Sequence, residues 1–149
     1  MLQQTALIEL ITALKAQVAA CHVEVETNGS IAPNATLAAL IDQFNVSPKL
    51  AHSGNELAVR RKLDVLSAYA RMERAFLKIV VQAPEDFDEV VDLAKAAAFP
   101  SSRIFIMPEG ITSATLRERA GWISALCVEH GFSFTDRMHI HLYGDTRGT

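Results

Sequence analysis

Apolar residues recur along this chain at two spacings, and the switching between them lays out the elements. Across residues 2–19, Leu7, Leu10, Ile11, Leu14 and Val18 fall at helical spacing and predict an amphipathic helix with one buried face. Residues 22–26 alternate instead and predict a short strand, stopped by the polar turn Thr27-Asn28-Gly29-Ser30. A helical piece over 36–41 follows a turn at Pro33-Asn34, and a strand over 44–47 is stopped by Pro48. After a polar loop over 49–55, Leu57, Leu63, Leu66 and Ala70 mark a surface helix over 57–72 whose other side carries Arg60, Arg61, Lys62 and Asp64. The run 76–81 is nearly all apolar, as in a central parallel strand covered on both faces. Pro84-Glu85-Asp86 opens a helix to about residue 98, its acids placed well for the helix dipole. A strand over 103–107 ends at Pro108-Glu109-Gly110. Thr112 or Ser113 caps a helix over 114–130, closed by Gly131, and the pattern predicts a last strand over 136–142.

The resulting order, α-β-α-β-α-β-α-β-α-β, argues for one α/β domain over 1–149 with a parallel sheet and right-handed crossovers. Opening on a helix is unusual for such a fold and suggests a missing β-element at the front. Composition fits: half of the 149 residues are hydrophobic, enough for a sizeable core. A net charge of −3 gives no basic surface for nucleic acid, and no apolar run approaches the ~20 residues of a membrane helix. Cys21 and Cys127, far apart, read as free thiols of a reducing compartment. A soluble cytoplasmic protein is the expectation, with no direct nucleic-acid partner and no membrane.

In a parallel sheet the carboxyl ends of all strands lie on one side, where ligands bind. Here that rim gathers Glu26-Thr27-Asn28-Gly29, Ser47-Pro48-Lys49, Val81-Gln82-Ala83-Pro84, Met107-Pro108-Glu109-Gly110 and His139-Ile140-His141. Each piece has an ordinary reading. Glu24 and Glu26 alternate outward on a strand; Asn28-Gly29 is a common turn pair; Lys78 snorkels to a sheet edge. His139 and His141 share a strand face, yet without Cys or acid partners they suit structural or substrate contacts better than a metal. No nucleophile elbow, P-loop, zinc spacing or full dinucleotide fingerprint is present. The residues alone reach an α/β domain with a polar ligand rim.

Val25-Glu26-Thr27-Asn28-Gly29, Val46-Ser47-Pro48-Lys49, Phe76-Leu77-Lys78-Ile79-Val80-Val81, Ile106-Met107-Pro108-Glu109-Gly110 and residues 137–144 occur in this order. Together they resemble 7-carboxy-7-deazaguanine synthase, a radical S-adenosylmethionine lyase of queuosine biosynthesis, a tRNA-modification pathway. The resemblance implies a partial (β/α) barrel of the radical SAM type with parallel strands. It implies three cofactors: S-adenosylmethionine, a 4Fe-4S cluster and Mg²⁺. The reaction implied is ring contraction of 6-carboxy-5,6,7,8-tetrahydropterin to 7-carboxy-7-deazaguanine. It further implies an external electron donor and a homodimer. Carried over by position, Thr27, His139 and Thr149 would contact the pterin, with 147–149 folding back over it. Gly29, Ser47, Lys49, Met107, Pro108, Glu109 and Gly110 would contact S-adenosylmethionine. No catalytic residue and no metal ligand is assigned in this chain.

The chain departs from the family in one large respect. The family holds its cluster with three closely spaced cysteines and uses a Gly-Gly-Glu-Pro segment for the methionine amine; neither occurs here. Cys21 and Cys127 cannot substitute for a three-thiolate site. The resemblance therefore places the chain as the C-terminal two-thirds of the enzyme, with the N-terminal strands missing and no radical activity as an isolated polypeptide. The alternative is a non-catalytic ligand-binding remnant or one half of a split enzyme.

Overall fold

A computed structural model describes residues 3–146. Five parallel strands form one sheet in sequential order: β1 (Glu24–Thr27), β2 (Gln43–Val46), β3 (Ala75–Val81), β4 (Ile104–Pro108) and β5 (Ser133–Phe134). Strictly sequential parallel order with intervening helices is the arrangement of a (β/α) barrel, here part of one. β1 and β2 end level with one another (Thr27↔Val46), and β3 and β4 run on together beyond them, from Leu77 beside Val46 to Val81↔Pro108.

The crossovers are α2 (Ala35–Leu40), α3 (Leu57–Arg60) with α4 (Leu63–Ala70), α5 (Asp86–Ala96) and α6 (Ser113–His130), with α1 (Gln4–Gln17) before the sheet and α7 (Met138–Tyr143) after it. Several starts and stops follow local chemistry. The Asn34 side chain accepts from Leu37 N–H at the start of α2, and Thr112 accepts from Thr115 N–H at the start of α6. Gly131 closes α6 in the left-handed region (φ +68°). Asp86 Oδ2 accepts from the N–H groups of Gln82 and Ala83, fixing the turn between β3 and α5.

All helices that cross over pack on one face of the sheet. Phe44, Val46, Leu77, Ile79, Val81, Ile104 and Ile106 point to that side and are buried, against Leu37, Ile41, Leu66, Phe87, Val90 and Ile123. Arg103 stitches the end of α4 to β3. Its Nη2 donates to Ala70 O (2.6 Å) and its Nη1 to Met72 O and Ala75 O (2.9 Å), with the guanidinium over the Phe99 ring.

Four expectations need correction. β3 is central but covered on one face only: Phe76, Lys78 and Val80 are half-buried while their neighbours are buried, because among the described residues the crossover helices all lie on the other face. The helix expected over 57–72 breaks at Arg61 and Lys62, which leave helical geometry while Arg60 is drawn to Glu89. The strand expected over 136–142 is helix α7, and β5 lies earlier, at Ser133–Phe134. Its strand neighbour among the described residues, β4, ends at Pro108, which has no N–H for a longer ladder. Finally, α1 lacks the expected fully buried face. Ile11 is buried, but Leu10, Leu14 and Val18 are exposed, since α1 flanks the edge strand and packs mainly against α2.

Candidate functional site

The open face of the sheet carries the other half of each alternation: Glu24 and Glu26 on β1, Gln43 and Asn45 on β2, Phe76, Lys78 and Val80 on β3, Phe105 and Met107 on β4. Two adjoining cavities occupy it. One, of about 270 Å³, is lined by Gln43, Asn45, Phe76, Lys78, Phe105 and Thr135. The other, of about 440 Å³, lies toward the strand carboxyl ends and is lined by Glu26, Asn45, Ser47, Lys78, Val80, Met107 and residues 136–139. Asn45 and Lys78 border both, so the two form one continuous cleft.

The walls are chemically mixed. Phe76 and Phe105 meet edge to face with ring centroids 5.8 Å apart. Beside them Gln43 Nε2 donates to Asn45 Oδ1 (2.9 Å), and Asn45 Nδ2 donates to Glu24 Oε2 (3.0 Å). Lys78 reaches across β2 toward Glu26, with Nζ 3.5 Å from Oε1. At the far wall, Asp136 is held twice: Oδ1 accepts from Arg137 N–H (2.7 Å), and Oδ2 lies 3.1 Å from His141 Nε2. His141 Nδ1 lies 3.1 Å from Ser113 Oγ, and Arg137 Nε donates to Pro108 O (3.1 Å). These bonds tie α7 to the start of α6 and the end of β4, and so fix one side of the cleft. Apolar ring edges beside amides and charged groups suit a planar, polar ligand.

The residues singled out from the sequence divide into groups. Ser47, Met107 and His139 meet in the larger cavity. His139 and His141 do not share a face: on a helix they turn apart, and only His139 lines the cleft. Lys49 lies elsewhere, in a cavity of about 50 Å³ with Asn28, Asn55, Val59 and Arg60. Thr27 follows Val25 toward the helix-covered side. Its hydroxyl accepts from Gly29 N–H (3.3 Å) and hydrogen-bonds Tyr69, whose phenol burial pushes up to about 12 and whose OH donates to Ile31 O. Gly29 has a packing reason of its own. At φ +72° a Cβ would meet Leu66 Cδ2 at 2.7 Å and Val46 Cγ1 at 2.9 Å.

At the end of β4, Glu109 N–H donates to Val81 O and its carboxylate pairs with Arg119. A Cβ on Gly110 would press on Leu116 and Thr115. Thr149, with 147 and 148, lies outside the described residues. Lys78, read from the sequence as snorkelling to a sheet edge, instead stands on the middle strand and borders the cleft; Gln43, Asn45 and Phe105 beside it carry no motif of their own. A two-residue period running through 43–45 and 76–80 was the available signal.

The two cysteines do not fit a 4Fe-4S cluster. Cys21 precedes β1 at one edge of the sheet. Cys127 is buried in α6, which packs on β4 and β5 toward the other, and burial raises its thiol to about 11. Among the described residues, no group of three His, Cys, Asp or Glu could hold a metal ion. No helix of the described residues is long and apolar enough to cross a membrane.

Comparison with known proteins gives three curated relatives, each a 7-carboxy-7-deazaguanine synthase. That of Pyrobaculum aerophilum is 34% identical over 146 residues, covering 98% of this chain and 62% of the relative. That of Halobacterium salinarum is 37% identical, covering 86% and 56%, and that of Rhodopirellula baltica 26% identical, covering 96% and 58%. The chain thus spans about three fifths of the length of the curated relatives it matches. No protein-family model matches it. In fold it is similar to SuiB of Streptococcus suis (TM-score 0.57, 11% identity, 87% of this chain and 35% of that one). A second SuiB structure, bound to S-adenosylmethionine, gives a TM-score of 0.56 at 12% identity, covering 95% and 39%. At such identity the likeness speaks to the fold, and it agrees with the expected partial barrel.

Proposed function

Because the chain is a relative of the 7-carboxy-7-deazaguanine synthases over nearly its whole length, we propose that it forms the ligand-binding side of such an enzyme. In this reading the cleft on the open sheet face takes S-adenosylmethionine at its strand-end half and a carboxylated pterin in its deeper half. The observation that carries the reading is the meeting of Ser47, Met107 and His139 in a cavity of mixed polar and apolar lining at the strand ends of a parallel sheet. The whole reaction would be a radical, Mg²⁺-assisted ring contraction of 6-carboxy-5,6,7,8-tetrahydropterin in queuosine biosynthesis. An external electron donor and a homodimer belong to the same proposal.

The contribution of this chain's own residues is binding and orientation. Phe76 and Phe105 offer ring edges to a flat heterocycle and exclude water from its faces. The Gln43 and Asn45 amides supply donors and acceptors at its rim. Ser47 and His139 offer polar contacts at the mouth. The Asp136–His141–Ser113 bonds hold α7, and with it His139, against the cleft. The cluster does not fit the two thiols, so no step through it is assigned to this chain. A second reading follows from that misfit and from the partial coverage of the relatives: a binding module, or one half of a split enzyme, whose cluster would lie on another polypeptide.

Titration calorimetry of the purified chain with S-adenosylmethionine and with 7-carboxy-7-deazaguanine tests the proposal. Binding of both, weakened in Ser47→Ala and His139→Ala, is the expected result. Failure to bind either compound removes the reading. Treatment with iron and sulfide should give no 4Fe-4S absorption; a stable cluster would contradict the misfit of the thiols. Turnover gained on adding a polypeptide with the cysteine segment would favour the split enzyme over a remnant.

A further inference from the structure

Lys78 stands at the centre of the open face. It lies on the middle strand and borders both halves of the cleft. Its side chain is two-thirds buried (33% exposed), and an ammonium so placed needs acceptors for three N–H donors. Its recorded contact is one oxygen of Glu26 at 3.5 Å, the outer limit of a hydrogen bond, and that carboxylate is 76% exposed. The second acid in the cleft, Asp136, is already engaged by His141 and by Arg137 N–H. The Asn45 oxygen takes the Gln43 amide. Among the described residues, the ammonium thus faces the cleft with donor capacity that its neighbours do not use.

An anionic group on a ligand would complete it. Arg137, on the same cleft, adds a second positive charge. The adjoining walls are the edges of Phe76 and Phe105, so the fitting ligand is a flat ring bearing one anionic substituent. We infer that Lys78 is the residue that selects for the carboxylate of a carboxylated heterocycle, exchanging its loose contact with Glu26 for a charge-assisted hydrogen bond to the ligand. The assignment rests on the proposed ligand class and adds to it the group that distinguishes the acid from its neutral counterpart.

The test is calorimetric titration of the full chain with two probes, 7-carboxy-7-deazaguanine and 7-deazaguanine, which differ by the carboxyl group. The parent protein should prefer the acid by roughly tenfold or more, the scale of one hydrogen bond to a charged group. Lys78→Met, which keeps the length of the chain and removes the charge, should lose most of that preference, down to the small pull of Arg137, with affinity for the neutral probe unchanged. Lys78→Arg should keep the preference. Persistence of most of the preference in the methionine variant, or its loss in a folded arginine variant, overturns the assignment and leaves the ligand class standing. Equal binding of both probes by the parent also overturns it. Failure of the parent to bind either probe instead removes the ligand class on which the assignment rests.

Discussion

Leu77 and Lys78 are neighbours in the chain and lie on opposite faces of β3. Leu77 is fully buried beneath the crossover helices; Lys78 looks into a polar cleft. The same contrast repeats on β2, where Phe44 and Val46 are buried and Gln43 and Asn45 border the cleft, and on β4 with Ile104 and Ile106 against Phe105. One face is close-packed and apolar, so its removal from water supports the fold. The other is held in place by the first and is free to carry groups that would be costly in a core. The division assigns stability and ligand chemistry to alternate residues of the same strands.

Substitutions on the two faces should separate these roles. Leu77→Ala leaves a cavity in the packed face and should lower unfolding free energy by about 2–5 kcal/mol in urea titration. Gly29→Ala tests the packed side of the β1 turn, where a side chain must take a left-handed φ and displace Leu66 or Val46. A loss of about 2–4 kcal/mol is expected from strain and overpacking together. Asn45→Ala, across the sheet, should cost under about 1 kcal/mol in the same titration while weakening ligand binding several-fold. A loss as large as that of Leu77→Ala would break the division between the faces.

Smaller effects sharpen its edges. The Lys15 ammonium, 2.7 Å from Asp42, and the Val23 N–H hold that carboxyl below 3.8. Folding therefore favours the carboxylate: its contribution is complete above about pH 4 and is lost as pH falls through the lowered folded value. The stability difference between the parent and Asp42→Asn should accordingly shrink below pH 4, read from urea midpoints at several pH values. Last, Cys127 sits buried on the packed side with its thiol raised to about 11, whereas Cys21 is half-buried. Alkylation of the native protein at pH 8 should label Cys21 first, and equal labelling by mass spectrometry would show the α6 face to be open.

Much of the fold was legible because its signals are local. The strand over 76–81, the caps at Thr112 and Gly131, and the turn at Asn34 each follow from a few adjacent residues. The break at Arg61 was not legible, since it accompanies the pull of Glu89, which comes 29 residues after Arg60. Residues 136–142 misled because Met138, Ile140 and Leu142 alternate as a strand would, yet β4 had no ladder left to pair with them. Of the residues that line the cleft, Ser47 and Met107 lie at strand ends read from the sequence, whereas His139 was placed on a strand that folds as helix α7. Asn45 and Gln43 carried no motif, and Lys78 read as snorkelling to an edge, because a polar residue inside a strand becomes a site only when the neighbouring strands bring their own beside it.

The sequence by itself determined the alternation of helices and strands, the parallel sheet, and the kinship carried by five ordered motifs. These depend on short-range periodicity and on residue identity, which the chain holds without folding. The tertiary structure decided which face of each strand is covered, that Thr27 and Gly29 lie toward the helix-covered side while Lys78 faces the cleft, and that residues 138–143 form a helix. Those outcomes depend on contacts between residues far apart in the chain, and such contacts exist only once the sheet has assembled.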